Sequence, residues 1–273
     1  MKYIDIHCHI NFAAYDADRD AVIARAQEAG VGMIIGGNDR TTSLQAVALA
    51  EKYENMWAIV GLHPVHVSDV AIGEEKEVFD MAFYEKLALH PKVLGIGECG
   101  LDYFRGDPLQ KDHQKKMQVE VFRAHIALAE KVKKPLVLHI RSGAEDDNDA
   151  YKDAIAILRE VKAGGAYTQA GDVHFFAGGL DYARQFIELG FSLSFTGVIT
   201  FAKEYHEVIK NIPLTSIMSE TDAPFVSPVP YRGQRNEPAH VVEVAHAIAD
   251  IRGEQREVVL PQLVQNARTF FKI

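Results

Sequence analysis

Only two cysteines, Cys8 and Cys99, occur in the 273 residues of the chain. Two thiols cannot build the disulfide framework of a small secreted domain, so a reducing, cytoplasmic setting is expected. No stretch of about 18 apolar residues is present, and the first residues enter a strand-like run without the charged and apolar regions of a leader. Neither export nor membrane insertion is expected. Positive charge is also short, with 29 Lys and Arg against 38 Asp and Glu and a formal charge of −9. That excludes a surface coating nucleic acid non-specifically, which needs a basic stripe, but leaves room for a small positive cleft. Internal repeats, low-complexity tracts and interdomain linkers are missing too. The Pro- and Gly-containing stretch 224–236 reads as a long ordered loop, so residues 1–273 are expected to form one domain.

What is there is an ordinary globular composition, 48% hydrophobic and 25% charged, with length for one large core. Short apolar runs stand at 3–6, 33–36, 57–62, 93–97, 136–138, 173–175, 191–195 and 216–218. Amphipathic stretches at 20–30, 42–53, 110–132, 150–161, 180–189 and 204–211 alternate with them, and Pro238 suits the first turn of a helix over 238–252. Eight strands each followed by a helix predict an α/β chain closed into a (β/α)8 TIM barrel. An open doubly wound sheet is the competing architecture. It would carry a Gly-rich phosphate turn after its first strand, where this chain has His-Cys-His.

That first strand is the strongest chemical signal. In strict alternation His7 and His9 share one face, with Ile6 and Cys8 on the other, and two imidazoles at a strand end can bind one transition metal. Later strands end similarly: Glu98 in G-I-G-E-C-G, His139 and Arg141 in L-V-L-H-I-R, His174 in D-V-H-F-F, and Asp222 in S-E-T-D-A-P. In a parallel barrel these ends share one rim, where active sites sit. Four His and two carboxylates outnumber the three protein ligands usual for one catalytic zinc, so two metals bridged by a carboxylate are the economical expectation. Such a pair supplies hydroxide near neutral pH and clamps both oxygens of a displacement. Cys8 and Cys99 adjoin ligands but are expected to face the helical layer as small buried hydrophobes.

Taken together, I-D-I-H-C-H, G-L-H-P, G-I-G-E-C-G-L-D-Y, L-V-L-H-I-R, V-H-F-F-A-G and S-E-T-D-A-P-F followed by R-G-Q-R-N-E-P resemble the TatD-type metal-dependent deoxyribonucleases, within the amidohydrolase-like barrels. The resemblance covers essentially the whole length. It implies that His7, His9, Glu98 and Asp222 hold one divalent ion and that Glu98, His139 and His174 hold the other. It also implies hydrolysis of DNA phosphodiesters. The chain departs from the family pattern at Val65, Phe175 and Ala177.

Within that reading Glu98 bridges the metals, while Asp222 both ligates and accepts the proton of the attacking water. Asp5 and Glu220 are expected to orient imidazoles or water. Arg105, Arg141 and Arg232 offer planar forks for phosphate, and His63 and His66 could meet a phosphate or leaving group, while Arg235 is the candidate for simple solvation. Histidines in helical patterns are expected to be structural. The acidic loop 145–149 is expected on the active-site side, discouraging long duplexes. The expected partner is therefore short single-stranded or end-exposed DNA, acted on by a monomer with two divalent ions such as zinc, magnesium or manganese. The alternatives are a small-molecule hydrolase of a lactone, amide or phosphate ester, and a non-enzymatic metal-binding protein.

Overall fold

A computed structural model describes residues 1–67, 77–105, 111–143 and 148–273. Eight parallel strands form one sheet in sequence order: β1 Tyr3–Cys8, β2 Val31–Gly36, β3 Met56–Val60, β4 Val93–Asp102, β5 Leu136–Arg141, β6 Gly171–His174, β7 Phe191–Phe195 and β8 Ile217–Ser219. Beyond the strand ends, His7 and Ala223 carbonyls accept from the Asp222 and His9 amides at 2.9 and 2.7 Å, which draws the β1–β8 seam together. The result is the (β/α)8 TIM barrel. Strands covered on both sides read as continuous apolar runs, as V-G-M-I-I-G in β2 does, with all six residues buried.

The helices are α1 Arg19–Glu28, α2 Arg40–Ala50, α3 Pro64–Val67, α4 Met81–Ala88, α5 Lys111–Val132, α6 Asp149–Ala163, α7 Leu180–Glu188, α8 His206–Asn211, α9 Val241–Arg252 and α10 Arg256–Phe271. Caps explain two of the starts. Asp39 accepts the Thr42 amide at 2.7 Å in a capping box before α2, and Asp80 accepts the Phe83 amide at 3.1 Å before α4. Sequence periodicity picks out neither α4 nor α10. The first is short, and the second carries Pro261 within its span. Nevertheless α10 closes the barrel floor: Ala267 and Phe271 pack with Ile4, Ile6, Ile34, Ile59, Val137 and Met218. Burying a phenylalanine there contributes about 2–3 kcal/mol. Among the described residues, no helix is long and apolar enough to cross a membrane.

Strict alternation fails in β1. Asp5 pairs with Met33 but Cys8 with Ile35, so the strand takes up one extra residue between them. Ile4 and Ile6 therefore both enter the barrel interior, while Cys8 joins the layer between sheet and helices. Ile6 and Cys8 do not share a face, contrary to the expectation. The bulge lets His7 aim into the mouth directly above the Ile6 plug. Cys99 also lies in the helix-side layer, and burial pushes both thiols up, away from the thiolate form.

Candidate metal centre

Glu98 lies at the centre of the mouth and is nearly fully buried. Its Oε2 is 3.2 Å from His7 Nε2 and 3.6 Å from His9 Nε2, while Oε1 is 2.9 Å from His139 Nδ1, 3.3 Å from His63 Nε2 and 3.8 Å from His174 Nε2. Asp222 Oδ1 closes the other side, 3.4 Å from His9 Nε2 and 3.7 Å from His174 Nε2. Room for the rings depends on Gly36 at the end of β2. A Cβ there would lie 2.7 Å from His9 Cε1 and 3.0 Å from His7 Nε2. Three non-glycine residues at the rim, Phe175 (φ 47°), Asp222 (φ 52°) and Val226 (φ 51°), adopt the left-handed region, which costs backbone energy and collects at functional sites.

Burial alone would raise the Glu98 pKa, but the surrounding imidazoles, His63 and His7 foremost, hold its carboxyl well below the usual range. Burial presses His139 downward too. The Asp102 and Glu98 carboxylates bonded to its two nitrogens overcome this and lift it to about 9. His63 goes the other way, down to about 4, through burial and then repulsion from His139. Asp222 stays ionised against its burial because His9 bonds it.

The donor set fits a divalent cation. His7 Nε2 and His9 Nε2 approach within 3.1 Å while both face one carboxylate oxygen. His7 Nδ1 is buried with no hydrogen-bond partner among the described residues. Lone pairs crowded in this way are relieved by a shared positive ion. Three triads have ligand atoms within 4.8 Å of one another: His7, His9 and Glu98; His63, Glu98 and His139; His7, His174 and Asp222. His7, His9 and Glu98 group as expected; His174 stacks on His7 at 3.7 Å and also groups with Asp222, and His63, expected as a substrate contact, lies beside Glu98 and His139 as well.

The groups behind these candidate ligands divide. Glu220 Oε2 accepts from His174 Nδ1 at 2.8 Å and from Ser194 at 2.9 Å, and its Oε1 accepts the Phe175 amide at 2.7 Å. Burial pushes this carboxyl up to about 8. Asp5 does something other than orient an imidazole. Lying between the inward Ile4 and Ile6, it accepts from the amides of His7 and Thr221 and from the Thr221 hydroxyl, tying β1 to the turn after β8. Sequence reasoning missed Asp102. Its Oδ2 is 3.1 Å from His139 Nε2, and its Oδ1 accepts the amides of Phe104 and Arg105 at 3.0 and 3.1 Å. Its signal was a carboxylate within G-L-D-Y, four residues past Glu98, in a strand that runs on to Asp102 rather than stopping at 97.

A cavity of about 940 Å³ opens above these side chains, walled by His63, His66, Arg105 and Arg141 among others. Arg232 is off that wall. Its guanidinium lies 3.8 Å over Phe201 and donates to the Ser227 carbonyl at 3.1 Å, because the loop after β8 turns back on itself. Arg235 is bonded to Asp18 at 2.6 Å and lies over Tyr15. Residues 145–147 of the acidic loop lie outside the described residues, and Asp149 pairs with Lys115 at 2.7 Å. Among the helical histidines, His125 is buried, accepting the Leu62 amide at 3.0 Å and donating to the Val121 carbonyl at 2.8 Å.

A parallel barrel with such a cluster at its carboxyl-terminal mouth defines a metal-dependent hydrolase. The chain matches the family described as TatD related DNase over residues 4–272, and it belongs to that family. It is 40% identical over 272 residues to the metal-dependent hydrolase YabD of Bacillus subtilis, with 98% of each chain covered. It is 32% identical over 276 residues to the 3'-5' ssDNA/RNA exonuclease TatD of Erwinia amylovora, again with 98% of each covered. The crystal structure of YjjV, a TatD homologue from Escherichia coli, superposes with a TM-score of 0.84 at 28% identity, covering 100% of this chain and 98% of that one.

Proposed function

We propose that this chain is a phosphodiesterase that hydrolyses short single-stranded or end-exposed DNA with two divalent ions. The observation that carries the reading is one buried carboxylate, Glu98, facing five imidazoles beneath a cavity walled by Arg105 and Arg141. The name of the Erwinia amylovora relative, an exonuclease on single-stranded DNA and RNA, supports the substrate class.

Glu98 would be shared by the two ions, with His7, His9 and Asp222 holding one and His139 with His63 or His174 holding the other. Bound divalent ions would lower the pKa of water and offset phosphate charge. The chain's own groups do the rest. Arg105 and Arg141 grip the phosphate oxygens. Asp222, ionised and at the lip of the cluster, accepts the proton of the attacking water. Glu220 and Asp102 fix the ring orientations of His174 and His139 through the nitrogens turned away from the centre. His66, at the wall, is placed to meet the leaving side of the substrate.

The test is incubation of the purified protein with short single-stranded DNA and each of Mg²⁺, Mn²⁺, Co²⁺ and Zn²⁺. Metal-dependent nucleotide release is expected. No release, with turnover of lactones or amides instead, would transfer the site to small-molecule hydrolysis.

A further inference from the structure

Aromatic rings at and beside the cavity are left unused by the hydrolytic chemistry. Phe225, on the cavity wall, is 50% exposed, and Phe104, 54% exposed, lies just outside that wall beside Arg105 and Arg141, which belong to it. Phe104 follows β4, and the Arg141 guanidinium at the end of β5 lies 3.9 Å over its ring. On the other side Phe12 stacks on His9 at 4.4 Å with planes 18° apart, and Phe225 stands edge-on to both, 6.5 Å from Phe12 and 6.3 Å from His9. In an eight-stranded barrel closed between β8 and β1, the β4–β5 junction lies diametrically across from that seam. The two groups of rings therefore belong to opposite sides of the barrel mouth, with the His and carboxylate cluster between them.

We propose that these rings are two base-stacking stations, Phe104 on Arg141 and Phe225 with Phe12, which hold the nucleotides on either side of the scissile phosphate of a single strand. The inference rests on the phosphodiesterase reading and adds how the strand is recognised. Aromatic faces beside cationic side chains are how single-stranded nucleic acid is held without sequence preference. The charge balance favours this mode. With a formal charge of −9 the chain can spare few phosphate contacts, so stacking must supply much of the affinity. Bases inside a duplex are already stacked on their neighbours and cannot offer free faces to both stations. The β4–β5 station is also rigid. The Asp102 oxygen that accepts the Phe104 and Arg105 amides belongs to the carboxylate that bonds His139, so the backbone carrying the ring and the imidazole are held by one side chain.

The experiment is a mutational cycle on the metal-loaded enzyme, with short DNA strands that are intact or abasic at the nucleotides flanking the cleavage point. Phe104→Ala and Phe225→Ala should each lower kcat/KM roughly 5- to 100-fold, mainly through KM, whereas Phe104→Tyr should retain it. On the matching abasic strand the alanine variants should lose nothing further, because the base that would stack is already gone. Thermal melting checks that these exposed positions leave the fold intact. Alanine variants within twofold of wild type, or penalties that add to those of the abasic sites, would overturn the stacking inference while leaving the phosphodiesterase reading standing. A wild-type protein that cleaves no nucleic acid would overturn both.

Discussion

Glu220→Gln is the sharpest probe of how the ligands are held. Above about pH 8, where Glu220 is ionised, one carboxylate oxygen accepts the Phe175 amide at 2.7 Å, and the other accepts both His174 Nδ1 at 2.8 Å and the Ser194 hydroxyl at 2.9 Å. A glutamine of the same shape has one acceptor oxygen and one donor NH₂. If the NH₂ faces Phe175, it opposes a backbone N–H that cannot change its role. If it faces Ser194 and His174, the hydroxyl can accept, but the imidazole must give up its Nδ1 proton. That moves the proton to Nε2, the nitrogen turned towards Asp222 and Glu98, and removes a lone pair needed by a metal. Groups behind metal ligands typically contribute 10- to 100-fold in metal affinity or activity, roughly 1.4–2.7 kcal/mol. The assay is competition of the purified variant with a chelating dye for Zn²⁺ or Mn²⁺, alongside kcat with saturating metal. Weaker binding by at least tenfold, with the melting temperature of the metal-free protein shifted only a few degrees, is expected. Affinity within twofold of wild type would show that the carboxylate does not set the His174 tautomer.

Three further outcomes follow from the same geometry. Gly36→Ala places a methyl group 2.7 Å from His9 Cε1, so metal content per chain should fall sharply while circular dichroism stays native; full metal occupancy would contradict the packing argument. Asp222→Asn should abolish turnover with the fold retained, and an active variant would remove that carboxylate from the chemistry. His125, held down to about 4 by burial, is neutral when folded, whereas the unfolded chain takes up a proton below about 6.5. Its contribution is therefore complete above pH 6.5 and lost as the pH falls towards 4, on the order of 3 kcal/mol in all. Denaturant unfolding of His125→Gln against wild type across pH 4–7 should show a flatter profile in the variant, and parallel profiles would refute the assignment.

The barrel and the gathering of most of these His and carboxylate side chains at its mouth were legible in the sequence because both depend on local rules. Apolar runs buried on both sides announce parallel strands, and a histidine or carboxylate closing such a run must sit on the rim. What escaped depends on the third dimension. The bulge in β1 is a mismatch between two strands, visible only in the pairing of Cys8 with Ile35, and it reassigned Ile6 and Asp5. Asp102 escaped because the end of β4 is fixed by pairing with β5 through Arg141, not by composition. Arg232 looked like a phosphate contact by residue type, yet Phe201 and the Ser227 carbonyl hold it off the cavity wall.

The proposed function turns on Glu98 being shared by two divalent ions. Anomalous scattering from crystals loaded with Mn²⁺ or Zn²⁺ reads this directly. Two peaks are expected, each within bonding distance of one Glu98 oxygen, and both should vanish in Glu98→Ala. A single peak, or a pair of ions that the Glu98 carboxylate does not touch, would contradict it.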